Sequence, residues 1–254
     1  KYNLLILHDS ADTLGAKLNG QSPGIFSDLS ITSFYGSHII NGAGNGGMLC
    51  TSDSEILRKG KLLRSWGRAS SIFEDSESIE NRFNVSLDGI QYDSKFIFEE
   101  IGYQLEPSEI SAAFGLVQLS KLENNLELRK RFFEEHNKFF SQYSDFFILP
   151  KERSGAHTGW LAYPVILKEK SNFTRTELQI FLEKRNIQTR VIFTGNILRQ
   201  PGFKTIKCLG KADDFVNSDS VMRSGILLAC HHGLDKEQMD HLHSSIEMFI
   251  ENNT

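Results

Sequence analysis

The sequence predicts an α/β protein with two domains, and three observations support this fold class. From about residue 150 onwards, short apolar runs alternate with segments of helical periodicity, a pattern typical of α/β units. Before that point, a long helical segment at 107–143 begins at a proline, which suits a first helical turn. The chain opens on a short apolar run, residues 3–8, that predicts a buried strand. A chain of 254 residues has room for one large or two small domains.

Local signals place the elements of the first half. Strands are predicted at 31–36 and 46–51, a helix at 54–66, and a polar, irregular surface loop at 68–94. The glycine-rich segment 41–47 predicts a tight hairpin and not a nucleotide cradle, because a strand follows it where a nucleotide-binding loop would open a helix. The long helix is expected to break or kink near Asn124 and Asn125.

The second half alternates strands with helices. Strands are predicted at 158–168, 189–195 and 225–230, and helices at 174–186, 213–223 and 235–252. Thr174 followed three residues later by Glu177 is the pattern of a capping box, which marks the start of the first of these helices.

Composition excludes several classes of protein. A net charge of −4 gives no reason to expect nucleic-acid binding, and no apolar run approaches the ~20 residues of a membrane-spanning helix. The three cysteines are far apart and form no C-x-x-C, which argues against disulfides, a zinc site or an iron–sulfur cluster and favours the cytoplasm. The paired histidines at 231–232 and 241–243 lack a neighbouring carboxylate cluster, so no metal site is expected.

A few polar residues stand where chemistry is plausible. Asp9 follows an apolar strand, so it is either a turn or helix-capping acid or a ligand-binding acid at the end of a sheet strand. His38 lies between a strand and the glycine-rich segment and is either a structural histidine or a proton-transfer group. The polar segment after residue 189 either binds phosphate through arginine or is a solvated loop.

Taken in order, the segments "LLILHDSADTLG", "SFYGSH", "GNGGMLCT" and "IGYQLEPSEISAAFGLVQLSKLE" resemble the DegT/DnrJ/StrS sugar aminotransferase family. The resemblance implies a fold-type I, aspartate aminotransferase-like transferase dependent on pyridoxal phosphate (PLP), apparently without its N-terminal part. Residues 1–144 would then be the C-terminal part of the PLP-binding large domain plus the linking helix, and 145–254 the small α/β domain. Family members are dimers, so a homodimer is expected.

The resemblance also implies roles for single residues. Asp9 matches the aspartate that pairs with the pyridine nitrogen, and Ser33 matches the serine that binds the cofactor phosphate. Asp12 stands where many members have a glutamine near the ring hydroxyl. Gln104 stands where members have an asparagine that reaches a phosphate across the dimer interface. His38 stands where aminotransferases carry the Schiff-base lysine, and imidazole forms no such stable linkage although it can move protons.

A branch of the family carries this histidine. The segment "TRVIFTGNILRQP" is similar to the CDP-4-keto-6-deoxyglucose 3-dehydrases, which implies noncovalent pyridoxamine phosphate (PMP) and a nucleotide-linked 4-keto-6-deoxy sugar as substrate. The residues of this segment expected to contact the sugar nucleotide are Arg190, Asn196, Arg199 and Gln200. The loop after "WGR" has no cysteine, so no iron–sulfur cluster is expected there. The missing cysteines favour the reaction outcome of the GDP-4-keto-6-deoxymannose 3-dehydratases, in which glutamate as amino donor regenerates PMP, or a variant of it.

The leading functional hypothesis is therefore 3-dehydration in deoxysugar or lipopolysaccharide biosynthesis. A nucleotide-sugar aminotransferase using another lysine is a second hypothesis, although Lys59 and Lys61 fall in a helix and not at the mouth of a sheet. A third hypothesis is a non-catalytic remnant that dimerises or binds a sugar nucleotide.

Overall fold

The computed structural model describes residue 2 and residues 4–254. Asn3, the first residue of the predicted opening strand, lies outside the described residues. Two compact units divide the chain, Lys1–Leu122 and Glu123–Thr254, referred to below as the first and second unit. The domain boundary predicted at residue 144 from the family resemblance stays a prediction.

Helices and strands alternate along the chain, in agreement with the predicted α/β class. The strands are β1 (Leu7–Asp9), β2 (Lys17–Leu18), β3 (Leu29–Ser33), β4 (Gly47–Thr51), β5 (Val85–Leu87), β6 (Ile90–Tyr92), β7 (Phe147–Ile148), β8 (Ala156–His157), β9 (Tyr163–Leu167), β10 (Arg190–Val191) and β11 (Gly225–Leu228). The helices are α1 (Ser54–Arg64), α2 (Ile79–Phe83), α3 (Glu109–Ser120), α4 (Leu122–Ser141), α5 (Arg175–Glu183), α6 (Val216–Ser224) and α7 (Lys236–Glu251). None of the helices in the described part of the chain is both long and apolar enough to cross a bilayer.

The first unit contains a mixed sheet in the order β1–β3–β4. β1 runs parallel to β3, with Asp9 opposite Ile31, and β3 pairs antiparallel with β4, with Ser33 opposite Gly47. The two strands predicted on either side of the glycine-rich segment therefore do pair, but residues 34–46 connect them, so the connection is a long loop and not the predicted tight hairpin. Because β1 and β3 are parallel, their carboxyl ends meet at the same edge of the sheet.

The prediction that the opening strand is buried is wrong. Leu4 and Leu5 are 76% and 75% exposed, and Ile6 and Leu7 are each 55% exposed. The reason is that, among the described residues, β1 lies at the edge of its sheet and pairs with β3 alone. The ladder itself is also shorter than predicted, since β1 begins only at Leu7.

Helix α1 confirms the helix predicted at 54–66 and ends in a tight turn. Asp53 caps its start by accepting hydrogen bonds from the amides of Glu55 and Ile56. The chain leaves the helix through Trp66 and Gly67, both with positive φ (59° and 83°). A β-carbon on Gly67 would lie 1.8 Å from the carbonyl oxygen of Glu100, so only glycine fits this crossing of two backbone segments.

This crossing gives a stability prediction. We expect Gly67→Ala to lower the free energy of unfolding by about 3 kcal/mol or more, because the new methyl group meets backbone and the left-handed φ disfavours a side chain. Gly60→Ala is the matched control, since Gly60 lies within α1 and a β-carbon there meets nothing within 4 Å. That control should raise stability by about 0.5–1 kcal/mol. Urea unfolding curves compare the two, and equal stabilities would contradict the prediction.

The segment predicted as an irregular loop, 68–94, instead contains helix α2 and a β-hairpin, so that prediction is wrong in part. β5 and β6 pair antiparallel, with Leu87 opposite Ile90 across a two-residue turn. Arg82 forms an ion pair with Asp93, which ties α2 to the end of the hairpin.

The long helix predicted at 107–143 is present as two helices. α3 and α4 are separated at Lys121, whose amide donates to Gln118 and so closes the end of α3. The break therefore comes three residues before Asn124, which is itself helical.

The second unit is built on an antiparallel sheet in the order β10–β11–β9–β7. The predicted helices at 174–186, 213–223 and 235–252 are confirmed as α5, α6 and α7. α5 begins with the predicted capping box of Thr174 and Glu177. Aromatic and aliphatic side chains from the sheet, α4, α5 and α7 form one buried core, which includes Phe132, Phe140, Tyr163, Leu182, Ile226 and Ile246.

Candidate active site

The first unit brings four of the predicted site residues, Asp9, Asp12, Ser33 and His38, to one edge of its sheet. Asp9 is the last residue of β1 and Ser33 the last residue of β3, and the two strands are adjacent. The hydroxyl of Ser10 donates to the carbonyl of Ile31 at 2.6 Å, and the hydroxyl of Thr32 donates to the carbonyl of Ser10 at 3.2 Å. These cross-strand bonds fix the carboxyl ends of β1 and β3 against each other.

A short turn after β3 places His38 next to Ser33, the last residue of that strand. The amide of Tyr35 donates to the Ser33 hydroxyl at 3.3 Å, and the amide of His38 donates to the carbonyl of Tyr35 at 3.0 Å. His38 Nδ1 then lies 3.4 Å from the carbonyl oxygen of Ser33. Because a carbonyl only accepts, this contact orients the ring with Nδ1 towards the backbone and Nε2 away from it.

Asp12 lies beside the other nitrogen of the ring. Its Oδ1 is 2.9 Å from His38 Nε2, and the side chains are 32% and 16% exposed, respectively. The pair has the distance of an ion contact, but Oδ1 accepts no aligned hydrogen bond from any described residue. The carboxylate therefore places negative charge next to Nε2.

Asp9 keeps one oxygen available. Its Oδ1 accepts a hydrogen bond from the amide of Ala11 at 3.0 Å, which holds the carboxylate at the strand end. Oδ2 has no hydrogen-bond partner among the described residues, and the side chain is exposed. A carboxylate in this state can accept a further N–H.

Tyr35 was not singled out from the sequence, yet it packs against the candidate base. Its ring meets that of His38 edge-on, with centroids 5.7 Å apart and planes at 66°. Tyr35 could have been found from the sequence by its position three residues before His38, because that spacing in a turn places two side chains near each other.

The candidate residues do not line the large cavity of the first unit. A cavity of about 820 Å³ lies between the sheet and α3. Its walls include His8, Ser10 and Thr32 from the sheet and Leu116 from the helix. Asp9, Asp12, Ser33 and His38 are not among the residues that line it, although His8 and Ser10 on either side of Asp9 are.

Gln104 is placed apart from this cluster. Its backbone forms a single antiparallel β-bridge with Ser65, the residue that follows α1. Its side chain is exposed and makes no hydrogen bond within the described part of the chain.

The four predicted sugar-nucleotide residues all lie in the second unit. Arg190 is exposed on β10, and its side chain forms no ion pair or hydrogen bond with a described residue. Asn196 is 2% exposed, and its amide nitrogen donates to Ala212 and Asp219. Arg199 is paired with Asp213 and Asp219. Gln200 donates to the carbonyl of Thr194 at 3.0 Å.

Among residues 2 and 4–254, no group of three or more histidine, cysteine, aspartate or glutamate side chains is placed to hold a metal ion. Cys50 and Cys208 are exposed and Cys230 is buried, and all three are free.

Comparison with known proteins identifies the family. The model of the DegT/DnrJ/EryC1/StrS aminotransferase family matches residues 1–247. Lipopolysaccharide biosynthesis protein RfbH of Salmonella typhimurium is 32% identical over 98% of this chain and 57% of its own length. The dTDP-4-dehydro-2,6-dideoxy-D-glucose 3-dehydratase of Saccharopolyspora spinosa is 31% identical over 98% of this chain and 54% of its own length. The chain thus spans a little over half the length of these relatives.

Solved structures share the fold. The GDP-4-keto-6-deoxy-D-mannose-3-dehydratase of E. coli with bound hydrated PLP superimposes with a TM-score of 0.81 at 24% identity, over 96% of this chain and 60% of that one. The predicted fold-type I architecture of PLP enzymes is confirmed by this likeness. On the match over residues 1–247, the chain belongs to the DegT/DnrJ/EryC1/StrS aminotransferase family.

Proposed function

We propose that the chain carries the catalytic site of a PLP/PMP-dependent 3-dehydratase that acts on a nucleotide-linked 4-keto-6-deoxyhexose. The observation that carries the proposal is the contact of His38 with Asp12 and with the Ser33 carbonyl at the end of β3. The family resemblance matches His38 to the Schiff-base lysine of the aminotransferases, and the proposal adopts that match. The relatives support the same reaction class, because they include 3-dehydratases of dTDP-linked and GDP-linked sugars.

The residues at the sheet edge fit a noncovalently held cofactor. Asp9 offers a free carboxylate oxygen for the pyridine nitrogen, and Ser33 offers a hydroxyl for the phosphate. Gln104, free and exposed, would complete the phosphate site from the second protomer of a homodimer. When bound, the cofactor supplies a protonated ring that withdraws electrons from the bond to be broken.

His38 would act as the proton-transfer group. Imidazole forms no lasting imine with an aldehyde, so this chain cannot hold the cofactor through residue 38 as an aminotransferase does. The ring is held by Ser33 through Nδ1, which leaves Nε2 to accept and return a proton. Asp12 stabilises the positive charge that the ring then carries.

Glutamate as amino donor would restore PMP, and no redox partner is required in this proposal. The segment 68–94 contains no cysteine. An ion pair between Arg82 and Asp93 is among the contacts that hold it. Four thiolates normally hold an iron–sulfur cluster, so we expect none in this loop. Arg190 and the loop that follows β10 would bind the sugar nucleotide.

Aminotransfer by the same family is the alternative reaction, since the GDP-perosamine synthase of Caulobacter vibrioides is also a relative at 24% identity. It would require a lysine near the cofactor. Lys59 lies on α1 and forms an ion pair with Glu100, which does not favour that role.

The ultraviolet–visible spectrum tests the proposal. With PMP and then PLP added, we expect saturable binding of both and complete removal of PLP on dialysis. His38→Lys should create a PLP absorbance band that survives dialysis, because an amine then faces the aldehyde. A wild-type band that survives dialysis would favour an aminotransferase with another lysine. Binding of neither cofactor would favour the non-catalytic remnant.

A further inference from the structure

Asp219 stands at the centre of a network that holds the loop after β10. It lies on α6 and is 7% exposed. Its Oδ1 accepts a hydrogen bond from Arg199 Nε at 2.5 Å, and its Oδ2 accepts one from Arg199 Nη2. Both carboxylate oxygens therefore meet the guanidinium in the two-pronged geometry that is strongest for this pair.

Asn196 joins the same carboxylate. Its Nδ2 donates to Asp219 Oδ1 at 2.8 Å, while its Oδ1 accepts from the amide of Leu198 at 3.2 Å and so caps the following turn. Hydrogen bonds from Arg199 and then Asn196 lower the pKa of the Asp219 carboxyl to about 2, so it remains ionised at neutral pH.

A second contact with α6 lies one turn further along. A β-carbon on Gly195 would lie 2.5 Å from the β-carbon of Met222, and Gly195 has φ +60°. The loop is thus seated on α6 at Asp219 and again at Met222. Gln200 closes the loop on itself through the carbonyl of Thr194.

These contacts change the role of the predicted substrate residues. The guanidinium of Arg199 is paired with Asp219 and Asp213, and Asn196 is buried. Arg190, by contrast, is exposed and has no partner among the described residues. A phosphate arriving at this loop can meet the guanidinium of Arg190, and the exposed Arg223 of α6 adds a second positive charge near Asp219.

We infer that Asp219 is a positioning residue of the sugar-nucleotide site, which acts through Arg199 and Asn196 to fix the loop 192–200 beside Arg190. The inference rests on the proposed function and deepens it, because it assigns diphosphate recognition to Arg190 and an architectural role to Arg199. The rival assignment, direct contact of Arg199 with phosphate, makes the opposite prediction for the same variant.

Calorimetric titration with GDP, CDP and dTDP separates the two assignments. We expect Asp219→Asn and Arg199→Ala each to weaken nucleotide binding about tenfold, and the double variant to be no worse than either single one. Arg199→Lys should be as weak as Arg199→Ala, because lysine keeps the charge but cannot form the two-pronged pair. Asp145→Asn, an exposed acid before β7 that pairs with Lys170, is the control and should bind normally.

Unchanged or tighter binding by Asp219→Asn would overturn the inference, since freeing Arg199 would then help. Additive losses in the double variant would overturn it as well. If the wild-type chain bound no nucleotide, the proposed function would fail. Amide hydrogen exchange would still decide the positioning role: faster exchange at 193–200 in Asp219→Asn, with β9 and β11 unchanged, supports it, and an unchanged loop overturns it.

Discussion

Replacing His38 by asparagine should lower the rate of 3-dehydration by about 10²- to 10⁴-fold, the usual contribution of a positioned general base. Asparagine keeps a polar side chain near the Ser33 carbonyl but cannot accept a proton at the position of Nε2. The measurement is formation of 3-deoxy product from GDP-, CDP- and dTDP-linked 4-keto-6-deoxyhexoses with glutamate and PMP. PMP binding, followed by absorbance, should be retained because Asp9 and Ser33 are untouched.

Asp12→Asn should also lower the rate of 3-dehydration, but by less than His38→Asn does. The amide keeps the shape of the side chain and removes the negative charge 2.9 Å from Nε2. We expect a rate loss of about 10- to 100-fold, smaller than for His38→Asn, because the base itself remains. His157→Gln, at an exposed position on β8, is the control for histidine loss. A full rate in His38→Asn would remove His38 from the mechanism.

The candidate site residues came from the family resemblance, whereas the helices and strands came from local patterns. Local patterns alone left Asp9 and His38 open between structural and chemical roles and did not single out Ser33. The structure brings the strand ends that carry Asp9 and Ser33 to one edge because β1 and β3 are parallel, while the roles of these residues stay predictions.

Burial was not predictable in the same way. An apolar run such as Leu4–Leu7 predicts a buried strand, but the exposed fraction of its side chains depends on which elements lie beside the sheet. In the described structure β1 is an edge strand, so these residues stay exposed. The β5–β6 hairpin was missed although Asp88-Gly89 is a strong two-residue turn signal, because polar residues around it masked the short strands.

The loop after β10 illustrates the limit for single residues. Arginine and asparagine in a polar segment favour ligand contact, and sequence gives no sign of an acid that is 20 residues away. Asp219 pairs with Arg199 only because α6 packs beside the loop. Which residue pairs with a charged side chain depends on the tertiary structure. Local sequence therefore cannot show whether that charged side chain is free to bind a ligand.

A buried pair of histidines in the second unit predicts acid sensitivity. His136 is 0% exposed; its Nε2 lies 2.9 Å from the carbonyl of Ala229 and its Nδ1 lies 2.9 Å from His243 Nε2. Since a carbonyl only accepts, His136 must carry its proton on Nε2, and its Nδ1 must accept from His243. A second proton on His136 would set two N–H groups against each other.

Burial lowers the pKa of His136 to about 4 and that of His243 to about 4, with Asp240 weakly opposing the shift at His243. The unfolded chain titrates near the ordinary value of about 6.5. The neutral pair therefore contributes its full stability above pH 6.5, and this contribution is lost as the pH falls from 6.5 towards 4. For the buried His136 alone, the shift from 6.5 to about 4 corresponds to a loss of about 3 kcal/mol in the free energy of unfolding once its ring is charged.

Urea unfolding at pH 7.5, 6.0 and 4.5 measures this loss. The double variant His136→Phe/His243→Phe replaces both rings by apolar rings, in surroundings that already include Phe139 stacked on His243 and Phe140 beside His136. It should unfold with a much flatter pH dependence over the same range, whatever its absolute stability. His157→Gln, which removes an exposed histidine, should retain the wild-type slope. An equally steep slope in the double variant would place the acid sensitivity elsewhere, whereas a flat one assigns it to a contact between α4 and α7 that sequence spacing alone does not reveal.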